Sequence, residues 1–176
     1  MTVTDPDKYP HLKFGVGQSP TRKEDRKLLV GDGRFTDDID LPGQAYGYVL
    51  RSNHAHGIIR GIDAERARAA NGVLAVYTGA DLEAAGYGLF HCPMQLKSHD
   101  GTPLATPPWR ALALDRVRYV GDSIALVVAE SLAAAKDAAE CIEVNIDPLP
   151  TVIDAEAAAA PDAPQLFDET GNVCLD

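Results

Sequence analysis

Apolar positions change rhythm several times along the chain, and each change marks an element. From Gln44 to Ser52, Ala45, Tyr48 and Leu50 with Val49 between them predict a strand buried on more than one side. Gly57 to Ile62 reads as a second strand, with Ile58, Ile59 and Ile62 as its apolar residues. Asp63 opens a short helix, because its carboxylate can accept from the free N–H groups of the first turn, and Ala64, Ala67 and Ala70 share one side. Asn71-Gly72 closes it, since glycine tolerates the left-handed conformation that follows a last helical turn. Val73 to Thr78 is β-rich, and Gly79-Ala80-Asp81 begins another helical turn.

The rhythm then disappears. Between Gly86 and Trp109 the chain offers Gly, Pro, His and Ser, including Pro103, Pro107 and Pro108, and so predicts a long loop of the kind that is more often functional than idle. Arg118 to Val120 and Ile124 to Ala129 are two short strands, and the unbroken run IALVVA marks the second as central and buried on both faces. Ser131 caps the next helix, where Leu132, Ala135, Ala139 and Ile142 recur at helical spacing while Lys136, Asp137 and Glu140 face water. Glu143 to Ile146 is a closing strand stopped by Pro148 and Pro150, and Ala155 to Ala160 a short helix. The result is an α+β class chain in three parts: an extended arm over residues 1–43, a domain over 44–150, and a linker and tail over 151–176 with little core content. An arm this long needs a partner surface to hold it.

Composition narrows the function. The 176 residues, 45% of them apolar, can bury a core, and 16 Lys and Arg against 26 Asp and Glu give a net charge of -10. Residues 1–80 hold 11 basic and 10 acidic side chains and residues 81–176 hold 5 and 16, so no basic stripe recommends nucleic-acid binding. No apolar run approaches a membrane span and MTVTDPDKYP lacks a signal's basic start and apolar stretch, so a cytoplasmic location is expected. Cys92, Cys141 and Cys174 form no CxxC and read as free thiols, with Cys141 a small core residue on a helix.

Candidate chemistry is sparse. GVGQSP at Gly15 half-matches a dinucleotide loop, but Pro20 stands at the third glycine position and no strand precedes it. Arg22, Lys23, Arg26 and Lys27, interleaved with Glu24 and Asp25, make either a solvated charge run or an arm for an acidic partner surface. His54 and His56 would share one side of a strand, yet no acid or cysteine nearby completes a metal site, so structural hydrogen bonding is the better reading. His91, Cys92 and His99 are no more convincing. Ser98 beside His99 lacks an orienting acid, there is no GxSxG, and Asp37-Asp38 reads as a cap. No residue is assigned a catalytic, cofactor-binding or metal-binding role.

Several short blocks in fixed order carry a resemblance. They are Arg22-Lys23-Glu24-Asp25, Gly31-Asp32-Gly33-Arg34-Phe35 with Asp37-Asp38-Ile39, Arg51-Ser52, His54-Ala55-His56, Gly72-Val73, Thr78-Gly79 with Asp81-Leu82, and Val120-Gly121. From about Gly15 to Pro150 the chain resembles the N-terminal segment of the molybdopterin-containing subunit of molybdenum hydroxylases, the family of xanthine dehydrogenase, aldehyde oxidase and aerobic carbon monoxide dehydrogenase. The resemblance implies an α/β-hammerhead domain with a mixed sheet, two main helices and a long irregular N-terminal arm, covering the active site and packing on later domains.

It also implies that Gly88-Leu89-Phe90 reaches the substrate funnel. Leu89 and Phe90 are then candidate substrate-channel residues, the alternative being that both pack into the core. Many relatives have Pro where this chain has Asn53 and Ser123. The family's molybdopterin-binding segments, the loop over the metal and the catalytic glutamate fall beyond the last residue here, so molybdopterin is expected in the parent enzyme and not on this chain alone.

Implied partners are a molybdopterin-binding catalytic chain or domains, with iron-sulfur and flavin subunits, and neither nucleic acid nor membrane. The implied reaction is oxidative hydroxylation of an aldehyde, N-heterocycle or similar small molecule, with this split or truncated component inactive alone. A non-catalytic structural or assembly module and a small-molecule-binding module using the Gly86 to Trp109 loop are the competing readings.

Overall fold

The computed structural model describes residues 22–168 and 170–176, so the glycine loop at Gly15 lies outside the described residues. They fall into two compact units, one ending at Pro42 and the other running from Gly43 to Asp176.

In the first unit a single turn and a half of helix, α1 (Asp25–Leu29), is followed by a 3-10 turn at Thr36–Asp38. Asp25 accepts from the backbone N–H of Arg22 at 3.1 Å, and Asp38 accepts from that of Phe35 at 2.8 Å. The second of the paired aspartates is therefore a cap. This stretch is less irregular than the sequence implies, because elements this short are set by local capping and leave no apolar period to detect. No residue of α1 is buried.

The second unit holds strands β1 (Tyr46–Arg51), β2 (Gly57–Asp63), β3 (Val73–Thr78), β4 (Arg116–Val117), β5 (Ser123–Ala129) and β6 (Glu143–Pro148). Its helices are α2 (Glu65–Arg68), α3 (Gly79–Ala84), α4 (Leu132–Glu140) and α5 (Ala155–Ala158). In place of one mixed sheet the strands form two three-stranded sheets, ordered β1-β5-β3 and β4-β2-β6. Every pairing is antiparallel. Strand positions follow from local pattern, whereas partners depend on long-range register, and the link from Ser52 to His56 carries the chain from one sheet to the other. Of the two main helices expected, the one after Asp63 is a single turn, with Asp63 accepting from Glu65 N–H at 3.0 Å.

The strand expected at Arg118 to Val120 sits earlier, at β4. A turn displaces it: Asp122 accepts from the Arg118 N–H at 3.0 Å, while Ser52 pairs through its backbone with Gly121 and Asp122 at 2.8 Å each. Central placement of β5 is as its unbroken apolar run requires, with Ala125, Val127 and Ala129 fully buried. Ser131 Oγ accepts from Ala134 N–H at 3.1 Å and starts α4, whose Ala135, Ala138 and Ala139 bury against β1 and β5. Cys141 is the half-buried residue that ends this helix.

The core is built mainly from alanine and valine, and Val117 and Val127 are its largest fully buried side chains. Small side chains let α4 approach the sheet closely, but each contributes little transfer free energy, about 0.8 kcal/mol per buried methylene. Close approach recurs at Gly79, where a Cβ would run into the Ala113 carbonyl.

Two core substitutions are expected to fail in opposite ways. Val127→Ala leaves a void and should lower the unfolding free energy by about 2 kcal/mol. Ala138→Leu overfills the α4 contact and should cost about 1–3 kcal/mol. Urea denaturation checks both, and an unchanged midpoint for Ala138→Leu would show that α4 is not tightly seated.

Candidate functional site

The loop between Gly86 and Trp109 is launched by α3. Thr78 donates both its backbone N–H and its hydroxyl to Asp81 Oδ2 at 2.7 Å, and Arg68 Nη2 lies 3.6 Å from the same oxygen. The Thr78 hydroxyl and N–H, helped by Arg68, hold the Asp81 carboxyl below its ordinary range despite some opposing desolvation. Gly86, at φ +80°, ends the helix, with its N–H donating to Glu83 O at 2.9 Å. Arg110 on the returning limb pairs with Glu83 at 3.3 Å, so both ends of the loop are tied to α3.

Beyond that base the loop is a two-limbed excursion. Phe90 N–H donates to Trp109 O at 2.8 Å, Leu104 N–H to Leu96 O at 3.0 Å and Ser98 N–H to Thr102 O at 2.8 Å. At the tip Asp100 accepts from Thr102 N–H at 2.8 Å, a bond that lowers its carboxyl pKa, and Gly101 takes φ +88°. Leu89 is 45% and Phe90 63% exposed, so neither packs into the core. Tyr87, Met94, Leu96 and Trp109 are exposed with them, giving the excursion an apolar surface.

Where the returning limb meets β4 there is a cavity of about 410 Å³, lined by Trp109, Arg110, Arg116, Arg118, Tyr119 and Phe167 among others. Trp109 and Tyr119 rings lie 6.0 Å apart between centroids, and burial with the nearby Asp122 carboxylate raises the Tyr119 phenol above its ordinary value. Arg118 places its guanidinium 4.6 Å from the Phe167 ring centroid and donates from Nε to Leu166 O at 3.0 Å. Arg116 pairs with Asp168 at 3.4 Å. These arginines serve residues some fifty positions away, and nothing in the local sequence around Trp109, Arg118 or Tyr119 announces the contact.

Other candidates are accounted for structurally. His54 and His56 lie in the link between β1 and β2, not on a strand. His56 is buried, with Nδ1 2.9 Å from Pro150 O; since a carbonyl only accepts, the ring donates there, and Nε2 is buried with no protein partner. Ser98 Oγ accepts from Asp176 N–H at 3.2 Å, His91, Cys92 and His99 are exposed, and among the described residues no three His, Cys, Asp or Glu gather as a metal site. The arrangement offers a braced apolar surface, and among the described residues no hydrogen bond joins a Ser or Cys side chain to a His ring.

Residues 30–150 match the family model described as aldehyde oxidase and xanthine dehydrogenase, a/b hammerhead domain. The chain belongs to that family. It is 38% identical over 155 residues to the carbon monoxide dehydrogenase large chain of Afipia carboxidovorans, a match covering 88% of this chain and 18% of that one. Among solved structures it is similar to quinoline 2-oxidoreductase from Pseudomonas putida 86, with 37% identity, a TM-score of 0.71, and 84% of this chain set against 18% of that one. It is likewise similar to the Cu,Mo-CO dehydrogenase, with 36% identity, a TM-score of 0.66, and coverage of 82% and 17%. The chain thus spans under a fifth of the length of these relatives. The family membership and the α+β hammerhead fold agree with the resemblance read from the sequence blocks.

The base of the excursion is testable through pH. Because the folded Asp81 carboxyl is held below the ordinary value of 3.8, its contribution is complete above that pH and fades as pH falls through the lowered value. Asp81→Asn should therefore be less stable than wild type at neutral pH, with the gap closing below about pH 4. A gap that stays constant down to pH 2 would contradict the carboxylate's role.

Proposed function

We propose that this chain is the hammerhead component of a molybdenum hydroxylase, and that Leu89 and Phe90 form part of the wall of its substrate path. The observation that carries this reading is the apolar surface at Tyr87–Phe90, exposed on a backbone tied at both ends to α3, in a chain of this family. An apolar wall excludes water and discriminates small substrates by shape without performing chemistry itself.

The described residues do not fit a molybdopterin site. No cluster of metal-binding side chains is present among them, and Arg110, Arg116 and Arg118 beside the cavity are engaged with Glu83, Asp168, Leu166 and Phe167. No chemical step is therefore assigned to these side chains. In this reading a partner chain or domain binds molybdopterin and hydroxylates an aldehyde, N-heterocycle or similar small molecule with oxygen from water, while iron-sulfur and flavin subunits pass electrons onward. A cytoplasmic setting accompanies the proposal; among the described residues no helix is long and apolar enough to cross a membrane.

Affinity purification of the tagged chain from cells that make it tests the assignment. A molybdopterin-binding chain and measurable molybdenum should come with it, and the chain by itself should oxidise neither aldehydes nor purines. Recovery of the chain alone, without molybdenum, would favour a non-catalytic assembly module instead. In the assembled enzyme, Phe90→Ala should change kcat/KM between small and bulky substrates by about tenfold or more while leaving molybdenum content unchanged. Equal kcat/KM for every substrate tried would remove Phe90 from the path.

A further inference from the structure

The tail after α5 does more than trail away from the domain. Asn172 fastens it to itself: its side-chain Nδ2 donates to Ala158 O and Pro164 O at 3.0 Å each, and its Oδ1 accepts from Leu166 N–H at 3.2 Å. The compact turn so formed presents Leu166, Phe167 and Asp168 to Arg116 and Arg118, where an ion pair, a carbonyl hydrogen bond and a guanidinium over a ring hold it. The chain then continues alongside the tip of the excursion. There His99 N–H donates to Asp176 O at 2.7 Å, Ala105 N–H donates to Cys174 O at 2.9 Å, and Asp176 N–H donates to Ser98 Oγ at 3.2 Å.

The excursion therefore has two supports. Its base is tied through Arg110 to α3 and through the Trp109–Tyr119 ring contact to the turn after β4. At its tip two bonds join the limbs, Ser98 to Thr102 and Leu104 to Leu96, and two more close the local turn, Gly101 N–H to Ser98 O and Thr102 N–H to Asp100 Oδ1. Most side chains there are exposed, only Ser98, Leu104 and Ala105 being half-buried, and they bury too little apolar surface to order two limbs against the entropy of a loop this long.

We propose that the described residues 166–168 and 170–176 are a strap that positions the excursion, with Arg118 and Asn172 as its clasps. Both are positioning residues: each holds the tail, and the tail holds the loop. A lysine could not replace Arg118, because the planar guanidinium both stacks on Phe167 and directs Nε at the Leu166 carbonyl. The strap stands on these contacts alone. Its consequence, that tail residues shape the wall carrying Leu89 and Phe90, rests on the substrate-path reading above.

Amide hydrogen exchange on the full chain separates the two. His99 and Ala105 report whether the tail is seated, because their N–H groups donate into it. Ser98 and Leu104 report whether the loop keeps its shape, because theirs donate within it. Val127, in β5, reports the core.

In Asn172→Ala and in Arg118→Lys, all four loop amides should exchange about tenfold or more faster than in wild type, with Val127 unchanged. A variant lacking residues 166–176 should show the same pattern, and it keeps the test informative if Arg118→Lys disturbs β4. Wild-type rates at Ser98 and Leu104 in that deletion would overturn the strap. Retained protection of His99 and Ala105 in both point variants would overturn the clasps. A loosened loop together with an unaltered substrate profile for Phe90→Ala would leave the strap standing and sink the substrate-path reading.

Discussion

The contact on which the second unit depends is that between α4 and the sheet centred on β5. β5 satisfies hydrogen bonds on both edges, to β1 and to β3, and buries Ala125, Val127 and Ala129 while α4 answers with Ala135, Ala138 and Ala139. Alanine facing alanine brings helix and sheet close, and packing at that distance leaves room for neither a larger side chain nor an empty one. The contact also locates everything else. β5 fixes the turn at Gly121–Asp122 against Ser52, and β3 leads directly into α3 at Gly79, where only the absence of a Cβ admits the Ala113 carbonyl.

From that frame the chain extends a surface that the packing of its own core has no reason to keep. Apolar side chains gather on the excursion between Gly86 and Trp109 in a protein of net charge -10 whose second half is strongly acidic. Acidic character keeps such a chain dispersed in water, while the exposed Tyr87, Leu89 and Phe90 remain available to an apolar contact. The three arginines of that half are spent on fastening: Arg110 on Glu83, Arg116 on Asp168, Arg118 on Leu166 and Phe167. Exposed ion pairs contribute little stability. Half-buried Arg116 and Arg118 matter more for where they direct the chain than for the energy of any one bond.

Family relationship and architecture together restrict what these residues contribute. The matched region is the a/b hammerhead domain, and the relatives continue for several times its length. What the described residues themselves present is a braced apolar surface, held by backbone bonds and a few long-range guanidinium contacts. Among the described residues no three His, Cys, Asp or Glu gather as a metal site.

The sequence by itself determined whatever depends on neighbours within a few positions. Ser131 capping α4, Gly72 ending the turn after α2, the span of β3 and the central character of β5 were all legible, because capping, glycine's left-handed freedom and apolar period act locally. Family blocks were legible too, being short runs in order. Only the tertiary structure decided the rest. Local pattern cannot choose strand partners, so one expected sheet became two; it cannot see that Ser52 draws Gly121 and Asp122 into a turn, which moved β4 back to Arg116; and it gives no sign that Arg118 reaches Leu166. Those contacts join residues tens of positions apart, and they exist only once the β5 core has brought the segments into reach.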